Sequence, residues 1–134
     1  VITENEILTR VANAVDALGL NAYCTSVYEP FPPHFPCVYA RMTDKYPVRR
    51  HIDLDYTDNQ NNVTFTAEVF VQKTDGGKEK ADAIMDTITD AFRRMYFIPT
   101  MRSPVDNGDP AIYRIMSRYR RVIASGDILP PEGE

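Results

Sequence analysis

Apolar residues recur along this chain in two rhythms, and the changes of rhythm mark its elements. From Ile7 the spacing is three and four, so Ile7, Leu8, Val11, Val15 and Leu18 share one side of a helix. Thr3 with Glu6 three residues later forms a capping box that opens this helix, and Gly19 closes it. The same rhythm returns in KEKADAIMDTITDAFRRM, where Ala81, Ile84, Met85, Ile88, Phe92 and Met95 make one stripe. Arg93 and Arg94 fall in its last turns, where they suit the negative helix end. DGG at 75–77 precedes this second helix as a turn that releases a strand into it.

Elsewhere the period is two. NVTFTAEVFVQKT is the strongest strand signal, with Val63, Phe65, Ala67, Val69 and Val71 on one side and Thr64, Thr66, Glu68 and Phe70 on the other. CVYARM reads as a strand, and so does HIDLDYT, which sets Ile52, Leu54 and Tyr56 against His51, Asp53 and Asp55. DNQNN at 58–62 and DNGD at 106–109 read as turns. FIPTMRSPV is a strand interrupted by prolines, which assigns it to a sheet edge. YEPFPPHFP, residues 28–36, is a stiff extended loop, because its prolines lack amide donors and have fixed dihedrals; Phe31 and Phe35 on it need partners. AIYRIMSRYRRVIA, residues 111–124, fits both periods. As a helix it segregates Ile112, Ile115, Met116, Tyr119, Val122 and Ile123 from Arg114, Arg118 and Arg121, with Asp109 and Pro110 as its start. As a strand the segregation is less clean, and pattern alone leans to a helix.

Composition narrows the function classes more than the fold. The chain has 134 residues, a formal net charge of -4 and a 43% hydrophobic content, which suits one core rather than two. The acidic balance gives no long-range attraction for nucleic acid or an anionic membrane. There is no run of about 18 apolar residues, so no membrane span is expected. VITENEILTRVANAV lacks the basic-then-apolar layout of a signal peptide, which leaves assembly inside a cell as the expectation. Cys24 and Cys37 are the only cysteines and are read as reduced thiols.

No candidate catalytic or metal cluster carries its signature. Cys24, His34, Cys37 and His51 lack the paired spacings of a zinc site. Asp53 and Asp55, with Asp44 and Asp58 nearby, alternate with apolar residues as a solvated or subunit-facing strand does. DGGK lacks the Ser or Thr that a phosphate loop needs after its lysine, since Glu79 stands there. No G-x-S-x-G elbow occurs. What remains is arginine with aromatic residues. Arg41, Lys45, Tyr46, Arg49 and Arg50 form one cluster, and Arg114, Arg118, Arg120 and Arg121 form another. Such a surface serves either a protein contact or a phosphate backbone.

Taken in order, these segments resemble the tail terminator and minor capsid proteins of long-tailed bacteriophages and their prophage relatives. The N-terminal helix, FPCVYARM, NNVTFTAEVFVQK, ADAIMDTITDAFRRM, FIPTMRSPVDNGD and IYRIMSRYRRVI carry the resemblance, which spans nearly all of the chain. It implies that residues 111–123 are a strand. The expected fold is therefore α+β: one mostly antiparallel sheet of four to five strands, two helices on one face, in the order helix-strand-strand-strand-helix-strand-strand. Residues 1–124 form the single domain, and 125–134 are expected to be a loose acidic tail.

The resemblance further implies a virion protein assembled in the host cytoplasm, and the missing ligand spacings and nucleophile-base motifs give the expectation of no enzyme activity, metal or cofactor. It would form a homo-oligomer, a hexameric ring at the head-proximal end of the tail, touching the tail tube protein and the head-completion or connector proteins. Phe31, Phe35, Arg41, Lys45, Tyr46, Arg49, Arg50, Asp53, Asp55, Arg114, Arg118, Arg120 and Arg121 are the expected subunit or tube contacts, with Asp53, Asp55 and Glu68 as opposing charges. The alternatives are a head-tail connector or neck adaptor, and a small nucleic-acid-binding module using the terminal arginines.

Overall fold

The Thr3 hydroxyl accepts the Glu6 amide at 3.1 Å and so opens α1, Glu4–Asp16. It satisfies one of the amides that a helix start leaves without an internal partner. The computed structural model describes residues 2–28, 32–47, 60–73, 76–106, 108–124 and 126–131. After α1 come β1 (Tyr23–Thr25), β2 (Cys37–Pro47), β3 (Gln60–Gln72), α2 (Gly77–Arg94), β4 (Ile98–Val105) and β5 (Ile112–Ala124). The five strands form one sheet in the order β1-β2-β3-β5-β4. Only β1 and β2 run parallel. This is the expected α+β architecture, including a strand over the ambiguous last segment and the proline-bearing strand at an edge.

Both helices pack on one face of the sheet. Ile7, Val11 and Val15 of α1 meet the α2 stripe and Val63, Phe65, Ala67, Val69 and Val71 of β3 in one core. An aromatic cluster anchors it: Phe92 stacks on Tyr119 at 4.2 Å and meets Phe97 edge-on at 5.2 Å, with Phe65 edge-on to Phe97 at 5.6 Å. These geometries match the quadrupole preferences of aromatic rings. The Tyr119 hydroxyl is 2.8 Å from the Thr89 hydroxyl, so its polar end has a partner inside the apolar layer. Gly77 sits so close to β3 that a Cβ there would lie 1.9 Å from the Gln72 carbonyl oxygen. Gly76 before it adopts φ +70°. The glycine pair is thus the strand-to-helix turn that its sequence suggests.

Three details differ from the sequence reading. β1 is three residues long and carries no pattern to announce it; its parallel pairing to β2 defines it. The HIDLDYT strand lies outside the described residues. Gln60, Asn61 and Asn62 are strand rather than turn, paired to Ala124, Ile123 and Val122 of β5. Sheet pairing overrides turn chemistry there, and the Asn62 amide oxygen is satisfied by Arg120. Residues 126–131 also pack where a loose tail is expected: Leu129 joins the core, and Arg10 donates to the Pro130 carbonyl.

Candidate interaction surface

The helices cover one face of the sheet, so every strand presents alternate residues on the other. Directly paired residues point to the same side, and the register therefore gives this second face in rows. One row runs Cys37, Phe70, Arg114, Val105; the next Tyr39, Glu68, Met116, Ser103; the next Arg41, Thr66, Arg118, Met101. Beyond these lie Asp44, Thr64, Arg120, Ile98, and then Tyr46, Asn62, Val122.

The first rows are sealed by the chain itself. Phe35 and Tyr23 pack on Cys37, Tyr39, Phe70 and Ile112. Tyr28 lies 5.7 Å from Tyr39. Arg114 donates through Nε to Glu68 Oε1 at 2.7 Å and through Nη2 to the same oxygen, with its guanidinium over Phe70 and Tyr28. The side chains of this pair are 17% and 4% exposed. Glu68 is therefore a buried partner of its own chain's arginine. It is not a charge offered across an interface, as the sequence reading has it.

The later rows are open. Arg41 lies over the Tyr39 ring at 5.4 Å. Arg120 donates to the Asn62 amide oxygen at 2.7 Å, a neutral acceptor. The Arg118 side chain has no hydrogen bond or ion pair among the described residues. Around them stand the exposed apolar side chains Tyr46, Val122 and Ile98.

Two β-bulges put Tyr46 and Ile98 on this face. The register slips between Met42 and Asp44 in β2, and between Pro99 and Met101 in β4. Each slip moves the following side chains to the opposite side of the sheet. Each extra residue is a threonine tied to the neighbouring strand: the Thr43 hydroxyl donates to the Thr64 carbonyl at 3.3 Å, and Thr100 to that of Arg118 at 3.4 Å. Without them Tyr46 and Ile98 would point to the helix side.

The expected contact residues thus divide. Arg41, Tyr46, Arg118 and Arg120 come together on the open end of one face. Lys45 is exposed but faces the helix side, opposite Val63. Phe35 and Arg114 belong to the sealed end. Arg121 is on the helix side, donating to the Met95 carbonyl at 2.9 Å and pairing with Asp127 at 3.4 Å, so it ties the end of α2 to the C-terminal segment. Phe31, Arg49, Arg50, Asp53 and Asp55 lie outside the described residues, as does His51. Ile98 and Val122 are the residues that sequence reasoning missed. Only the β4 bulge reveals Ile98, and a reading by regular alternation hides it.

The remaining candidates for chemistry stay apart. Cys24 and Cys37 lie on neighbouring strands, one register step apart and so on opposite faces, and are not bonded to each other. Burial, with Asp16 nearby, pushes the Cys24 thiol up from its ordinary value, away from nucleophilic thiolate. The His34 ring nitrogen Nε2 lies 2.7 Å from the Asn21 carbonyl oxygen. Among the described residues no three His, Cys, Asp or Glu side chains are grouped to hold a metal ion, and no helix is long and apolar enough to cross a membrane. Compared with known protein families the chain matches none, and among curated proteins no significant match is found.

Proposed function

We propose that this chain is a structural, non-enzymatic virion subunit of a long-tailed phage or prophage. It forms a hexameric ring at the head-proximal end of the tail, ends tube growth there and offers a surface to the head-completion proteins. The observation that supports this reading most is the last element. Periodicity favours a helix over 111–124, whereas the resemblance to tail terminators requires a strand, and β5 is a strand through Ile112–Ala124. The open arginine and aromatic surface adds support, because that composition is enriched where proteins meet proteins. The test is imaging of the native particle with the subunit labelled. Six copies encircling the tail axis next to the head are expected. Absence from the particle, or a tube of many stacked rings, overturns the reading, and copies on the portal side reassign the chain to a connector.

A further inference from the structure

Beyond β5 the chain turns back toward the helices. The Asp127 amide donates to the Ala124 carbonyl at 3.0 Å, the Asp127 carboxylate accepts the Ala124 amide at 2.8 Å, and Arg121 pairs with that carboxylate at 3.4 Å. Asp127 is therefore a fixed post at the end of the sheet. Ile128 next to it is 76% exposed, whereas Leu129 is 6% exposed and belongs to the core. The Pro130 carbonyl then accepts from Arg10 of α1. Pro131 borders a groove of about 450 Å³ between α1 and α2, whose apolar lining includes Ala14, Leu18, Ala91 and Met95.

Residues 128–131 enter the core without the fastening that a core element ordinarily has. They belong to no helix or strand, and Pro130 and Pro131 have no amide to donate. Among the described residues, a seated leucine and a carbonyl bonded to Arg10 hold them. Leu129 and Pro130 each precede a proline, which keeps the backbone extended, so the segment is a stiff arm rather than a chain that loosens residue by residue. The body keeps its own supports on either side of this arm. Arg121 also donates to the Met95 carbonyl at 2.9 Å and lies 5.5 Å from the centre of the Tyr96 ring, and α1 is seated through Ile7, Val11 and Val15.

We propose that residues 128–131 are a latch: the arm undocks as one unit, swinging on Asp127, while both helices and the sheet stay folded. Closed, Leu129 fills its seat and Pro131 walls the groove. Open, the seat and the groove become one longer apolar trough beside α1, since neighbouring residues of one extended arm fill the first and border the second. Segments with few fastenings open locally, well below the free energy of global unfolding. The latch thus governs how much apolar surface the helix layer exposes, and its closed form covers area that would otherwise be a sticky patch. The inference goes beyond the virion reading and does not rest on it.

The test is maleimide labelling of the full chain carrying Leu129→Cys, with the labelled sites resolved by peptide mass spectrometry. Cys37, 1% exposed in the cluster on the other sheet face, is the internal standard for opening of the body. The introduced thiol should label at least about a hundredfold faster than Cys37, at a rate unchanged by urea too dilute to unfold the sheet. Equal rates, or an introduced thiol that labels only as the sheet unfolds, overturn the latch. Leu129→Asp should hold the arm open. Anilinonaphthalene sulfonate, the apolar probe, should then gain fluorescence several-fold, while near-ultraviolet circular dichroism and cooperative unfolding are retained. Ile128→Asp, which puts the same charge on the exposed neighbour, should leave dye binding at the wild-type level. A Leu129→Asp chain that binds no more dye than wild type overturns the proposal. So does one that loses cooperative unfolding, because the segment would then be part of the body. Equal dye binding by the two aspartate variants overturns it as well, since charge rather than an emptied seat would be the cause.

Discussion

Arg114 and Arg118 lie four residues apart on β5, on the same face of the same sheet, and have opposite fates. Arg114 is covered by Tyr28 and held by Glu68, while Arg118 stands in solvent with no side-chain partner among the described residues. The difference is made by what crosses the sheet. The segment between β1 and β2 folds Tyr28 and Phe35 over one end, and that cover makes a carboxylate necessary, since a guanidinium stripped of water is stable only when paired. At the other end no described segment lies over the arginines, so they carry their charge outward. One strand thus supplies both a structural ion pair and an open, charged surface, and sequence spacing does not distinguish them.

The largest effect sets the scale for that comparison. Phe65 and Phe92 are fully buried on the helix side, so alanine at either should cost about 3–5 kcal/mol in equilibrium urea unfolding. A change under about 1 kcal/mol at either position would mean that the helix side is not the principal core. Glu68→Ala comes next, at about 2–3 kcal/mol. It leaves Arg114 covered and uncompensated, though the partial exposure of that arginine reduces the loss below that of a fully buried pair. A Glu68→Ala variant as stable as the wild type would dissolve the distinction between the two ends.

Much of this was legible in the residues. The Thr3–Glu6 cap, both helical stripes and the inward positions of β3 follow from spacing, because burial on one side of a regular element leaves a regular trace. The two-sided burial of β3 did not show. Thr66 and Glu68 look like a wet face because they are polar, yet β3 is the central strand, Arg114 covers Glu68 and the Thr66 hydroxyl lies 3.1 Å from that of Thr43. For β5 the helical lean came from counting Met116 and Val122 as core. They face the other way, and the resemblance decided correctly where periodicity did not. The surface was half legible. Arg118 and Arg120 were named, but a bulge breaks the alternation on which any face assignment depends, so Ile98 could be placed only with the register in hand.

A smaller effect separates the two sides of β5 by pH. Tyr119 points into the core between Arg118 and Arg120 in sequence, and burial raises its phenol above the ordinary value, with hydrogen bonds from Ser117 and Thr89 acting the other way. As pH rises past about 10 the unfolded chain releases this proton while the folded chain retains it, so stability declines through that range and is unaffected below it. The slope from this residue is at most about 1.4 kcal/mol per pH unit. Unfolding measured from pH 8 to about 10.5 should show a decline that is shallower in Tyr119→Phe. An equal decline in both would assign the loss to the other tyrosines and lysines.

The smallest stability change is the most informative about the open end. Arg118→Ala should shift unfolding free energy by less than about 0.5 kcal/mol, because the side chain is exposed and makes no bond among the described residues. Removing an arginine from a row that includes Arg41 and neighbours Arg120 also relieves like-charge repulsion, so the sign should be neutral to slightly stabilising. Raising salt should shrink whatever gain appears, since exposed charges are screened over about 8–10 Å. A loss above about 1 kcal/mol in the monomer would show that Arg118 is held by its own chain, as Arg114 is, and the two ends of the sheet would no longer differ in kind. A neutral result sharpens the contrast instead: Arg118 would then contribute nothing to its own fold, whereas Arg114 is held within it.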